Sequence, residues 1–438
     1  MFAHKFLIKI NVHPRVILIT IVVASTIMGD SMLYNVLPAG FPVFGLSLGL
    51  IGILLSANRW VRIFTNEFAA WVLNRTGIGI PLIISVLVAV ATTIVFGLTS
   101  AFWILLLARL LWGTCFSFFR LIGFVTVLEV STDSNRGKSL GFFEGGKRIG
   151  SVIGVLIGGF LFDYAGRLNS FTKIGGLGLL GLPISFYLYS TSKSDKNSPH
   201  KFNRETSATD NLKFIPKQNL FPRLKRLFSG LLVPNVADLA TKNRRIILFS
   251  SITFFSLHLV TNGALISSLG LFLNQRLGLE LAILGMIIGI ASLNGILIGA
   301  RHIAEVFAPL WGSLTDIYGG RKILALGMPM CIATLIILAS QVPLWLAIAS
   351  LSLSFMASVA CMTALDTIVG SLAPESHRPQ IMGRYATWQD LGSAIGPIAI
   401  FSALDFISLS ATYITGAIIL SLTLIIFQLT TIGQRPST

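Results

Sequence analysis

The sequence predicts an all-α polytopic membrane protein, with twelve transmembrane helices in two pseudo-symmetric six-helix bundles. Three observations carry that reading. Apolar runs of about 20 residues, the length a helix needs to cross roughly 30 Å of hydrocarbon, recur between short polar breaks. From its second helix to the end of its fifth, the first half is repeated by the second at a constant offset of 242 residues. Lys and Arg crowd the loops of one side only.

The runs fall at about 16–37, 46–73, 80–98, 102–128, 139–162 and 171–190, then at 246–273, 282–314, 322–339, 344–371, 381–402 and 409–430. They are continuous and too long for the alternating segments of about 10 residues that build an outer-membrane barrel. With 54% hydrophobic and 11% charged residues, the chain lies outside the range of soluble domains. The first run follows Lys5, Lys9 and Arg15, as in a secretory signal, but it continues to Pro38 and has a counterpart in the second half.

The repeat places Arg59 on Arg301, Asn74 on Asp316, Gly77 on Gly319, Gly150 on Gly392, Gly154 on Gly396 and Asp163 on Asp405. It divides the chain into a first bundle at 1–190, a basic linker at 191–245 with an amphipathic stretch at Leu224 to Leu232, and a second bundle at 246–438.

An even number of passes puts both termini on one side. The loops on that side hold most of the basic residues, while the opposite loops hold Arg167, Lys173 and Arg276. The termini and linker are therefore expected in the cytoplasm, with the chain in the inner or plasma membrane. The formal charge of +16 reads as topology and attraction to anionic lipid, not as nucleic-acid binding. Cys115, Cys331 and Cys361 lie inside apolar runs without metal-ligand spacing. No zinc spacing, phosphate-binding glycine loop or nucleophile-base pair is found. An enzyme, a metal and a cofactor are not expected.

Loop and helix motifs carry a family resemblance. Gly312-Ser-Leu-Thr-Asp316-Ile-Tyr-Gly319-Gly320-Arg321-Lys322 resembles the loop between the second and third helices of each half in the major facilitator superfamily. Its first-half copy, ending Asn74-Arg75-Thr-Gly77, has Asn in place of the usual Asp, with Arg75 in reach of Glu129. The glycines allow a tight turn, and the carboxylate can cap a neighbouring helix. Arg109-Leu-Leu-Trp-Gly113 is similar to a family motif whose Arg is associated with proton coupling. Gly150-x-x-x-Gly154-Val155-x-x-Gly158-Gly159 is similar to a motif of proton-driven exporters, Val155 replacing the usual Pro. The resemblance implies alternating access around a site at mid-bilayer, between the halves. It also implies that the second helix packs on the eleventh, and the fifth on the eighth.

Charged groups at mid-bilayer are costly unless paired or hydrated, so those present mark a site. Asp30 resembles the first-helix Asp of several drug exporters and is the first choice as proton carrier, with Arg109 and Glu144 assisting. Local satisfaction by Ser31 or Tyr34 is the structural alternative. Arg59 and Arg301 resemble the Arg pairs of anion transporters; neutralisation by protein carboxylates, such as Glu305 one turn from Arg301 and Glu144 one turn from Arg148, is the alternative. Tyr34, Asn35 and His258 join them as substrate-binding candidates. Two gates between the bundles are expected, Arg59 with Asp390, and Arg148 or Lys147 with Glu305. The functional expectation is proton-coupled efflux of a small amphiphilic molecule by a monomer in contact with membrane lipid. Transport of an organic anion and lipid or glycolipid flipping remain as alternatives.

Overall fold

The computed structural model describes residues 12–132, 135–196, 241–278, 280–283, 286–340, 342–374 and 377–431, so the linker stretch Leu224 to Leu232 lies outside the described residues. Besides a single helical turn at Phe41–Phe44, the elements are α1 (Pro14–Ala39), α2 (Leu48–Thr76), α3 (Gly79–Leu98), α4 (Phe102–Val130), α5 (Arg136–Gly178), α6 (Gly181–Lys196), α7 (Thr241–Leu257), a π-helical segment (His258–Leu265), α8 (Ile266–Leu277), β1 (Glu280–Ile283), β2 (Met286–Gly289), α9 (Ile290–Val306), α10 (Ala308–Tyr318), α11 (Gly320–Ala339), α12 (Leu344–Leu372), α13 (Arg378–Ala403) and α14 (Leu409–Thr431).

These elements make twelve passes among the described residues. The unbroken stretch Arg136–Thr191 has 56 residues. That is about 84 Å of helix, too long for one crossing. It turns at Gly166, whose φ of 75° only glycine adopts easily, and so supplies the fifth and sixth passes. The seventh pass runs from α7 through the π segment into α8. The eighth joins α9 to α10 across a 53° bend, where Pro309, in the first turn of α10, cannot continue the hydrogen-bond ladder of α9. The eleventh, α13, is the least apolar, because it carries Gln389 and Asp390 at its centre.

The largest departure from the expected boundaries is in the eighth pass. The eighth pass begins at Ile290, not 282, because residues 280–289 form an antiparallel hairpin with Glu280 opposite Gly289. A short apolar run bounded by glycine is compatible with strand or helix, and periodicity alone does not separate them.

The side on which α1 begins and α14 ends is here the near side, its opposite the far side. Glycines set the spacing within each half. A Cβ at Gly150 or Gly154 would collide with the α1 backbone at Ala24 or Met28, and one at Gly392 or Gly396 with the seventh pass at Phe255, Leu259 and Gly263. The fifth pass thus packs on the first as the eleventh does on the seventh. On the far side, Arg167 donates to the carbonyls of Phe96 and Thr99 at the end of α3, and Arg276 donates to those of Ser340 and Val342 just beyond α11. Two of the three far-side cations therefore complement the negative ends of equivalent helices. Trp103 and Trp345, 77% and 70% exposed, open α4 and α12 at the same level, as aromatic residues do where hydrocarbon meets water.

The expected cross-bundle packing is present: α2 lies on α13, and α5 on α9. The halves close together at the far side. There Asn35 Nδ2 donates to the carbonyls of Val155 and Ala291 (2.8 and 2.9 Å), and Asn294 Nδ2 donates to the Asn35 carbonyl (3.0 Å). Asp163 accepts from the Ser292 amide and hydroxyl, each 2.6 Å, and so caps the N-terminus of α9 from the opposite half.

Candidate transport and coupling site

The site has two layers, one inside the first bundle and one between the bundles. In the first, α4 carries Arg109 beside α1. Arg109 Nη1 donates to Asp30 Oδ1, its Nε donates to the Leu54 carbonyl at 2.9 Å, and Asn58 Nδ2 donates to the same Asp30 oxygen at 3.3 Å. The Tyr34 hydroxyl lies 2.9 Å from both Asn58 Oδ1 and the Leu55 carbonyl. Arg109 is 2% exposed, and a guanidinium so deeply placed requires a counter-charge. Asp30 is satisfied by Arg109 and Asn58 rather than by Ser31 or Tyr34. The Tyr34 ring lies between two guanidiniums, Arg109 at 5.1 Å and Arg59 at 5.3 Å, and so joins the inner layer to the outer.

The second layer is a charged belt at mid-height. On the α5–α9 side, Arg148 of the first half reaches Glu305 of the second at 2.9 Å, as expected. Glu305 also receives Arg301 at 2.9 Å and His302 Nδ1 at 3.3 Å. Arg301 Nη2 donates to Asn262 Oδ1 at 2.6 Å. Asn262 lies in the π segment, where the helix widens by one residue and turns its polar group toward the belt.

On the α2–α13 side the expected pair shifts by one turn. Asp390 lies 3.6 Å from Arg62, not paired with Arg59, which instead donates to the Ser393 carbonyl. Residues three apart on a helix share a face, so sequence spacing does not choose between them. Lys147 pairs with Glu144 at 2.7 Å, not with Glu305, and that bond also replaces the expected Glu144–Arg148 contact. Arg62 lies 4.9 Å over the Phe116 ring.

Other expected residues are placed outside this geometry. Asn35 is fully buried in the far-side contact between the halves, its amide bound to backbone carbonyls. His258 is buried in the wall of the belt, with Nδ1 3.0 Å from the Phe254 carbonyl and its ring against Phe254. In the loop motif, Gly77 and Gly319 both have positive φ, 73° and 84°, making equivalent tight turns. Asn74 and Asp316 are exposed and cap no helix among the described residues. Arg75 covers the Trp71 ring at 4.2 Å instead of reaching Glu129, while Glu129 interacts with Arg15. A Cβ at Gly312 would have room beside Thr363, whereas Gly320 is pressed on α12 at Ile368. Arg321 Nε donates to Gln428 Oε1 at 2.7 Å, tying α11 to α14. Sequence reasoning missed Asn58, Asn262, Asp163 and Ser292 as partners. Only Asp163 left a signal, its equivalence to Asp405.

A fold of two six-helix halves around a charged belt defines a membrane transporter. The family description "Major Facilitator Superfamily" matches residues 19–306 and 303–437. The chain belongs to that superfamily and is a secondary transporter of its type, not an enzyme. Among curated relatives, the synaptic vesicular amine transporter of Rattus norvegicus is 29% identical over 154 residues, 34% of this chain and 30% of that protein. The vesicular acetylcholine transporter of Torpedo marmorata is 28% identical over 131 residues, 30% and 26% of the two chains. The match thus spans under a third of these relatives. Among solved structures, the nucleoside transporter NupG superposes with a TM-score of 0.71 at 12% identity, covering 96% of this chain and all of the other. A bacterial homologue of the human lysosomal transporter Spinster, solved inward-facing and unoccupied, superposes with a TM-score of 0.65 at 14% identity, covering 95% and 94%. These likenesses concern the fold.

Proposed function

We propose that the protein exchanges protons for a small amphiphilic organic molecule by alternating access, moving that molecule out of the cytoplasm. The near side, with the basic linker and termini, is taken as cytoplasmic, and the bundles as residues 1–190 and 246–438 joined by 191–245. On that assignment the far-side closure corresponds to a state closed to the outside, and the protein works in the cell membrane as a monomer bathed in lipid.

The Asp30–Arg109 pair carries this reading. A carboxylate held by a buried guanidinium can take up a proton only when it is separated from that guanidinium and the surrounding helices admit water as the proton source. Tyr34 stacks on both Arg109 and Arg59. A shift of Arg59 as the halves rock would therefore be felt at Asp30. Arg148–Glu305 and Arg62–Asp390 span the halves and serve as gates, since a contact present in one facing state biases the equilibrium between states.

The test uses proteoliposomes with a trapped pH dye and a panel of cationic, neutral and anionic solutes, comparing wild type, Asp30→Asn and Asp30→Glu as monodisperse protein. Solute-driven proton flux abolished in Asp30→Asn and retained in Asp30→Glu is expected. Undiminished flux in Asp30→Asn would remove Asp30 from the mechanism. Lipid movement without solute-driven flux would favour the flippase alternative.

A second reading, an organic anion as substrate, draws support from the excess of cations in the belt. An amine, the substrate class named for the vesicular relatives, needs a carboxylate to receive it. Asp30, Glu144, Glu305 and Asp390 each already face a Lys or Arg, which leaves Asp366 on α12, beside Tyr385, as a carboxylate among the described residues that could receive one.

A further inference from the structure

The cations of the belt are unequally compensated. Around Glu305, two guanidiniums share one carboxylate, and Lys147 has Glu144. On the first half, Arg59, Arg62 and Arg120 have one carboxylate beside them among the described residues, Asp390. Its contact with Arg62 is long, 3.6 Å, and one-sided. The Arg62 Nε is buried without an acceptor. Arg59 spends one donor on a backbone carbonyl and makes no ion pair with a carboxylate among the described residues. Arg120, half-buried on α4, makes no hydrogen bond or ion pair among the described residues, yet lies within electrostatic reach of both Arg62 and Lys147. Arg120 is one helical turn from Phe116, which lies under Arg62, so the two share the α4 face that looks toward the space between the halves.

Three guanidiniums against one carboxylate at mid-membrane depth form an arrangement that no stability argument favours. Uncompensated charge there is costly, and the neighbouring cations repel. Planar donor forks with unused N–H groups are the usual receptor for a carboxylate or phosphate. Aromatic faces at Phe116 and Tyr34 adjoin them and suit an apolar body attached to that group.

We infer that the transported molecule carries an anionic group, a carboxylate or a phosphate, received by Arg59, Arg62 and Arg120 of the first half. The inference rests on the transport reading and names the substrate class of its central site. A soluble organic anion and the phosphate of a lipid headgroup share this chemistry.

The experiment measures binding, not transport. The full chain in phosphatidylcholine nanodiscs is titrated with 2-naphthoate and, as matched controls, 2-naphthylmethylammonium and 2-naphthalenemethanol, with thermal stabilisation and tryptophan fluorescence as readouts. Naphthoate binding is expected, weakened about tenfold in Arg120→Gln and largely kept in Arg120→Lys. Repetition in discs containing phosphatidylglycerol separates the sources. Competition assigns the anion site to lipid phosphate, and no competition assigns it to a soluble anion. Tighter binding of the ammonium probe, equal naphthoate binding by Arg120→Gln, or no naphthoate binding by the wild type would overturn the inference. Naphthoate binding without any solute-driven proton flux would sink the coupling reading and leave the anion site standing. Flux driven by the ammonium alone would do the reverse.

Discussion

At Asp30 the two partners of one ion pair are not equivalent. A carboxyl deprived of Arg109 can take up a proton and become neutral, whereas a guanidinium deprived of its carboxylate stays charged. Asp30→Asn is therefore expected to lower stability in detergent more than Arg109→Gln does, by about 1–3 kcal/mol; equal losses measured by thermal unfolding would contradict the assignment. A double-mutant cycle on Arg62 and Asp390 should give coupling of about 0.5–1 kcal/mol, modest because the contact is long and Asp390 is partly exposed. The same cycle on Arg59 and Asp390 should give close to none. The sequence identified Asp390 and the cationic face of α2 but not which Arg of that face meets it, because one turn of helix separates the choices. Asn58 and Asn262 were illegible for another reason. An uncharged amide in an apolar run looks like any tolerated polar residue until its partner is brought across the bundle.

Among the elements, the glycines of the fifth pass differ in kind. Gly141 and Gly145 have open space where a side chain would go, while Gly150 and Gly154 touch the α1 backbone. Alanine at 141 or 145 should leave stability unchanged or raise it by about 0.5 kcal/mol through the lower entropy of the unfolded chain. Alanine at 150 or 154 must push α1 away and should cost about 1–3 kcal/mol, read as a drop in unfolding temperature in detergent. The equivalent substitutions at Gly392 and Gly396 should behave alike, since those glycines meet the seventh pass in the same way. Element boundaries were legible wherever hydrophobic runs ended in polar loops. They failed at 280–289, where glycines punctuate an apolar stretch, and within the seventh pass, where no sequence signal marks the π segment around Asn262.

For the whole molecule, the two-fold repeat was the most legible feature, since one register fixed the packing of equivalent helices before any coordinates. The facing state was not, because the same sequence must support both. In this structure the far side is shut by Asn35, Asp163, Ser292 and Asn294, all of which bridge the halves. Asp163→Asn should weaken that closure. With spin labels at Val43, in the short helix Phe41–Phe44, and Phe406, in the turn after α13, both exposed on the far side of opposite halves, the substitution should increase the long-distance population in a double electron–electron resonance measurement, and an unchanged distribution would deny Asp163 that part. The unequal charge of the belt has a further, electrical consequence. Rocking the halves leaves Arg59, Arg62 and Arg120 in place but changes which aqueous bath they are connected to, so fixed positive charge crosses part of the membrane field without any residue travelling far. Each elementary charge taken through the full field is worth about 2.3 kcal/mol per 100 mV. An empty carrier with this excess should show a voltage-dependent resting orientation, and a bound anion, by offsetting part of the excess, should make the loaded carrier less sensitive to the potential.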